Sequence, residues 1–201
     1  MNARELTGVV LAGGRGQRMG GVDKGLVSLC GRPLIEHVLT ALAPQVGEVL
    51  ISANRNHAAY RRYGCRVVAD VWEGYPGPLA GIASALQAAA TTHVLCVPCD
   101  APDLPADLGR RLAAALKGGD RAAVVHDGVR RQPLFVLLAR DLELDLQRYL
   151  GEGGRAARDW LERVAAVPVD FSHQADAFHN LNTLEDLRGL EVQLRRHDPA
   201  D

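Results

Sequence analysis

Three stretches of this 201-residue chain carry groups suited to phosphate chemistry. The first is "VVLAGGRGQRMGGVDKGL" at residues 9–26, in which six glycines are interleaved with Arg15, Arg18 and Lys24. Glycine reaches positive φ and lets a ligand approach the backbone closely, so a glycine-rich loop after a strand aims several N–H groups at a phosphate chain. The three cations lie where phosphates would sit. The other two stretches each supply one carboxylate: Asp70 directly follows "RVVA", and Asp100 directly follows "HVLCVPC". Mg2+ is held by one or two carboxylates together with substrate phosphates and waters. A cationic glycine loop and two aspartates on one sheet edge would therefore form a nucleoside-triphosphate site. The alternatives are a solvated connection and aspartates that only cap or turn the chain.

Neither standard phosphate motif describes the loop. A G-x-G-x-x-G fingerprint fits at Gly14 and Gly16 but meets Met19, and the second strand ends in "ISANRN" without the carboxylate that would hold a ribose. A P-loop needs glycine before lysine and a hydroxyl after it, whereas Gly25 follows Lys24. The loop is either a phosphate cradle of a third kind or only a connection.

Those residues need elements to place them. Buried-strand patterns occur at 6–11, 48–52, 66–69 and 93–98. Between them, residues 34–43 carry apolar side chains at the helical period, residues 58–62 suggest a short helix, and a small-residue helix runs from "YPGPLAG" to residue 90. A helix is expected at 105–116, with Asp103 as its cap. Strand–helix alternation over residues 1–116 gives βαβ units and a mostly parallel sheet with helices on both faces. Downstream, "AAVVH" and "PLFVLL" flank the turn "DGVRR" as a hairpin, so the sheet is mixed. Helices at 142–150 and 155–164, a strand at 167–169 and a capping box, Thr183-x-x-Asp186, opening a helix over 184–194 complete the reading. The fold class is α/β: one three-layer αβα domain over residues 1–201, Rossmann-like. In the parallel sheet Asp70, Asp100 and the glycine loop all leave C-terminal strand ends, the edge where open α/β sheets bind ligands.

Charge and composition narrow the partners. A formal net charge of −1 gives no support to a general nucleic-acid or membrane-surface binder. No transmembrane run or leader pattern is read, so a cytoplasmic protein is expected. Cys96-x-x-Cys99 lacks the second half of a zinc site and ends a strand, which favours buried core thiols. No histidine shows ligand spacing.

The glycine loop, with "PLIEHVLTAL", "ANR", "VVAD", "YPGPLAG", "CVPCDAP" and the late "AFHNLNT", closely resembles the molybdenum cofactor guanylyltransferases, nucleotidyltransferases of sugar-nucleotide-transferase-like fold. The resemblance spans nearly the whole chain, and "GGVDKGL", "YPGPLAG" and "NLNT" together are specific. It implies GMP transfer from GTP to the phosphate of Mg2+-bound molybdopterin cofactor, with release of pyrophosphate and Mg2+ as metal. It implies that the backbone of Leu11, Ala12, Gly13 and Gly14 lines the nucleotide, and that Arg18 and Lys24 hold phosphates and act in catalysis. Asp70 would contact the nucleotide and Asp100 would bind the metal. Leu79 and Gly81 would help read guanine, and Asn180 and Asn182 would face the pterin. Residues 1–116 would serve mainly the nucleotide and residues 117–201 the cofactor substrate. Further partners would be proteins that deliver the product to molybdoenzymes. Where the family often has Asn before "ANR", this chain has Ser52. Rival readings are a CTP-dependent cytidylyltransferase, whose loop has alanine where Gly13 stands, a sugar-1-phosphate nucleotidylyltransferase, usually a longer chain, and a catalytically silent adaptor that binds nucleotide or molybdopterin.

Overall fold

Every residue of the first strand, β1 (Leu6–Leu11), is buried, as expected for a run of apolar side chains in a sheet covered on both faces. The computed structural model describes residues 1–13, 23–71, 77–181 and 183–197. The other strands are β2 (Ser28–Leu29), β3 (Arg32–Pro33), β4 (Glu48–Ser52), β5 (Arg66–Val68), β6 (His93–Pro98), β7 (Ala122–His126), β8 (Arg131–Ala139) and β9 (Val167–Asp170). Seven of them form one sheet in the order β5-β4-β1-β6-β8-β7-β9. Pairing is parallel from β5 to β6 and antiparallel where β8 joins β6 and β7. The mixed sheet and the late hairpin are thus as the sequence implies. β1, β4 and β6 match their expected limits to the residue.

The helices are α1 (Leu34–Leu42), α2 (His57–Arg61), α3 (Pro78–Ala88), α4 (Leu108–Ala115), α5 (Glu143–Gly151), α6 (Ala157–Arg163) and α7 (Leu184–His197). α1 buries Leu34, Ile35, Val38 and Leu42, the stripe its period requires. One core packs α1, α2 and α4 against one sheet face through Val10, Ile51, Leu95 and Leu137. The other packs α3, α5 and α6 against the opposite face through Val9, Leu50, Val136 and the fully buried Trp160. Trp160 donates its indole N–H to Asp145 at 3.0 Å, so its burial leaves no orphan donor. A third cluster joins Leu29 and Leu34 to Leu181 and Leu187, tying the small β2–β3 hairpin to α7.

Several features depart from expectation, among them the β2–β3 hairpin, which has no counterpart in the sequence pattern, and α6, which is shorter than the expected 155–164. The helix expected from residue 105 begins at Leu108, and Asp103 does not cap it. Its N-terminal turn is held instead by Gln45, in the turn just after α1 on the same sheet face. Gln45 donates to the Pro105 carbonyl at 3.0 Å and accepts from the Gly109 N–H at 2.9 Å. Residues 172–178, which showed no helical pattern, form a 3-10 segment that buries Ala177 and Phe178. Phe178 meets Phe135 and Phe171 edge-on with centroids 5.0 and 5.2 Å apart. The expected capping box is present: Thr183 N–H donates to Asp186 Oδ2 at 2.8 Å, and Asp186 N–H to Thr183 Oγ1 at 3.0 Å. No helix among the described residues is long and apolar enough to cross a membrane.

Candidate functional site

Strand register decides what gathers at the C-terminal edge of the sheet. Leu11 is level with both Ser52 and Pro98, and Ser52 with Val68. The next backbone groups stay stitched together. Ala12 N–H donates to the Ser52 carbonyl at 2.8 Å, Ala53 N–H to that of Val68 at 2.9 Å, and Cys99 N–H to that of Leu11 at 3.1 Å. Four parallel strands therefore end in line, and Gly13, Asn54, Asp70 and Asp100 emerge along one rim.

At this rim lies a cleft of about 190 Å³. Leu11, Ala12 and Gly13 form one side, Asp23, Lys24 and Asp100 bring the charge, and Leu134 and Asn180 come from the second half of the chain. Lys24 Nζ donates to Asp100 Oδ2 at 3.0 Å, an ion pair in which both side chains are largely sheltered from water. Leu181 N–H donates to the Asp100 carbonyl at 2.9 Å, which fastens the segment carrying Asn180 to the strand end carrying the carboxylate. Two segments far apart in sequence thus become one wall of one cleft. Gly14, Arg15, Arg18 and Asn182 lie outside the described residues.

Asp70 stands further out, after β5, two strands from β1. Its Oδ2 accepts from Asn54 Nδ2 at 2.7 Å, and its own N–H donates to Asn54 Oδ1 at 2.8 Å. Its Oδ1 is buried without a hydrogen-bond partner. Burial pushes the Asp70 carboxyl above the ordinary carboxylate range, and the Asn54 amide only partly offsets this. An under-satisfied buried oxygen is costly to keep and marks a place where a ligand donor would be welcome. Leu79 and Gly81 are buried inside α3, behind Pro78, which borders the cleft. A Cβ on Gly81 would fall 2.6 Å from Ser52 Oγ, so glycine there sets how closely α3 lies on β4.

The chain pattern did not single out Asp23. It is 6% exposed, lines the cleft beside Lys24, and accepts one hydrogen bond from the Tyr60 hydroxyl and another from Asn56 Nδ2 at 3.0 Å. Only its position next to Lys24 hinted at this. Cys96 and Cys99 are buried thiols, as expected, and burial raises both, Cys96 up to about 12, which disfavours the thiolate form.

Among the described residues no three His, Cys, Asp or Glu side chains gather as a metal nest. The donor set still fits a cation of the Mg2+ type, because Asp100 presents a single carboxylate to the cleft and such a cation takes its other ligands from phosphates and water. The site can thus cradle a polyphosphate along the Leu11–Gly13 backbone, with a cation and a carboxylate at hand and amide chemistry on the far wall.

A family model described as the MobA-like NTP transferase domain matches residues 8–169. A molybdenum cofactor guanylyltransferase from Serratia proteamaculans (strain 568) is 47% identical over 182 residues, covering 90% of this chain and 92% of its own. Another from Ralstonia nicotianae is 47% identical over 196 residues, covering 92% and 96%. The solved structure of molybdopterin-guanine dinucleotide biosynthesis protein A from Archaeoglobus fulgidus superposes with a TM-score of 0.78 at 27% identity, covering 94% of this chain and 99% of that one. The 2-C-methyl-D-erythritol 4-phosphate cytidylyltransferase of Thermus thermophilus, at a TM-score of 0.69 and 19% identity over 93% of this chain and 98% of that one, is alike in fold alone.

Proposed function

The chain belongs to the MobA-like NTP transferase family and, within it, to the molybdenum cofactor guanylyltransferases, and from that premise we propose how its cleft moves GMP from GTP to the phosphate of molybdopterin cofactor. A phosphate oxygen of the cofactor forms a bond to the α-phosphorus of GTP, the bond from that phosphorus to the β-bridging oxygen breaks, and pyrophosphate leaves. The products are molybdopterin guanine dinucleotide cofactor and pyrophosphate. A phosphate monoester loses its second proton near pH ~6, so the attacking group is largely a dianion at neutral pH and needs no protein base. The reaction asks instead for alignment and neutralised charge.

The observation that carries this reading is the Lys24–Asp100 pair at 3.0 Å, in a cleft whose walls come from Leu11–Gly13 on one side and Asn180 on the other. Leu11, Ala12, Gly13 and Gly14 offer backbone to the nucleotide, and Arg18 and Lys24 hold its phosphates. Asp100 would hold Mg2+, which when bound offsets charge on the phosphates. Asp70 contacts the nucleotide, with its buried Oδ1 as acceptor, and Leu79 and Gly81 shape the guanine side through the seat of α3. Asn180 and Asn182 meet the pterin, since an amide offers both a donor and an acceptor to a ring edge that shows both. Residues 1–116 then serve mainly the nucleotide and residues 117–201 the acceptor. A cytoplasmic setting, with hand-over of the product to delivery proteins, belongs to the same proposal. The four cysteines, all unpaired thiols, suit a reducing compartment.

Titration of GTP, CTP and ATP in the presence of Mg2+ tests the nucleotide half. GTP should bind at least about tenfold more tightly than the other two, the worth of one or two well-placed hydrogen bonds to the base. Preference for CTP would replace the guanylyl reading with the cytidylyl one, and tight GTP binding without pyrophosphate release in the presence of acceptor would indicate an adaptor.

A further inference from the structure

Asp23 precedes a 3-10 turn, Lys24–Leu26, where an aspartate ordinarily caps the backbone, yet its side chain makes no cap. It is turned instead toward the loop and helix that follow β4. Its Oδ1 accepts from the Tyr60 hydroxyl, its Oδ2 accepts from Asn56 Nδ2, and Arg55 Nε lies 3.7 Å from Oδ2. Both carboxylate oxygens are therefore engaged from within the protein. That distinguishes Asp23 from Asp100, although the two line the same cleft.

Tyr60 is fully buried at the end of this chain of contacts. Burial, then the hydrogen bond to Asp23, raise its hydroxyl far above its ordinary range, so it stays a donor at every working pH. The glycine after Lys24 sits directly on it: a Cβ on Gly25 would fall 2.7 Å from Tyr60 Oη. The residues on both sides of Lys24 are thus seated on one aromatic side chain, and the Lys24 ammonium meets Asp100 at 3.0 Å. Asn54, in the same loop, braces Asp70. One short segment, residues 54–60, therefore supports the nucleotide carboxylate and the lysine together.

We infer that Tyr60 is a positioning residue for the transfer, acting through Asp23 to hold Lys24 at its place in the cleft. This rests on the phosphate-handling role of Lys24 given above. Tyr60 is buried and is not among the residues lining the cleft. Its hydroxyl fixes the backbone turn from which the lysine projects, and a displacement of about 1 Å in such a group costs up to ~100-fold in rate.

The experiment is a double-mutant cycle. Tyr60→Phe removes the hydroxyl alone, and is made in the natural protein and in Lys24→Ala. Asn56→Gly, which keeps the positive φ of that residue and removes only the second donor to Asp23, is carried in parallel as the milder variant. The readouts are kcat and KM for GTP from pyrophosphate release with molybdopterin cofactor as acceptor, together with titration of pyrophosphate alone. In the natural background Tyr60→Phe should lower kcat about 10- to 100-fold and leave KM for GTP within about threefold, with Asn56→Gly showing a smaller loss of the same kind. In the Lys24→Ala background both substitutions should change kcat by less than about twofold, because the group they position is gone. Equal loss of kcat in both backgrounds would overturn the inference, and so would an unchanged kcat in Tyr60→Phe. Should the natural protein release no pyrophosphate, the transfer reading fails by itself. The positioning claim then stands or falls on whether Tyr60→Phe weakens pyrophosphate binding only when Lys24 is present.

Discussion

Replacing Lys24 by alanine should move two observables that a purely structural or purely binding lysine would not move together. The ammonium lies 3.0 Å from Asp100 Oδ2, with side-chain exposures of 23% and 11%. At an effective dielectric of about 20 such a pair attracts by roughly 5 kcal/mol gross. Desolvation of both groups offsets most of that, and a charged hydrogen bond keeps a net of about 1.5–3 kcal/mol. Lys24→Ala removes this net and leaves a sheltered carboxylate without its cation. For a chain of this size the melting temperature should fall by about 3–12 °C. Adding Asp100→Asn should restore part of it, since the lone charge is then removed as well. On the kinetic side, a cation aimed at charge that grows on the phosphates acts mostly in the transition state, so kcat should drop about tenfold to a thousandfold. Steady-state pyrophosphate release over a GTP series, run beside thermal melts of the two single variants and the double variant, gives both numbers. A raised KM for GTP with kcat unchanged would refute the transition-state role. An unmoved melting temperature would refute the energetic reading of the pair.

Asp100→Asn should keep the fold and lose transfer by about 100-fold or more, because an amide keeps the shape without the charge that would hold Mg2+; normal turnover at low Mg2+ would contradict it. Asn180→Ala, alone or with Asn182→Ala, should leave GTP affinity intact and weaken molybdopterin binding by about 5- to 150-fold, the worth of one buried hydrogen bond. Equal weakening of both ligands with a lowered melt would reduce Asn180 to a structural residue. Asp70→Asn should raise the melting temperature at about pH 7, since burial raises the Asp70 pKa and the folded state holds that proton more tightly than the unfolded one. Ionisation of the unfolded chain therefore draws stability away as pH rises through the carboxylate range, and the advantage of the amide should vanish in melts below about pH 4. An advantage that persists in acid would mean that Asp70 is not strained by burial.

Much of this architecture is written locally. β1, β4 and β6 are nearly unbroken apolar runs followed closely by glycine, asparagine or aspartate, and their limits follow from burial on both faces. Their parallel pairing, with β5 beside β4, then brings Gly13, Asp70 and Asp100 to one rim by register alone. Helix ends were less legible where the cap is supplied from elsewhere. Gln45, about sixty positions earlier, holds the start of α4, so no residue near position 105 announces it. The 3-10 segment at 172–178 owes its shape to three phenylalanines packing edge-on, a long-range cause without a local period. Asp23 illustrates the limit at the site itself. In the string "GVDKGL" it is a polar residue beside a lysine, and its partners Asn56 and Tyr60 lie more than thirty positions away.

The central claim is guanylyl transfer in this cleft, and it is met most directly by supplying GTP labelled at the α-phosphorus, Mg2+ and molybdopterin cofactor and following the label. The label should appear in the cofactor as the guanine dinucleotide with one equivalent of unlabelled pyrophosphate, and should fail to do so with Asp100→Asn. Label that stays in GTP, or that is released as free GMP whether or not the cofactor is present, would contradict it.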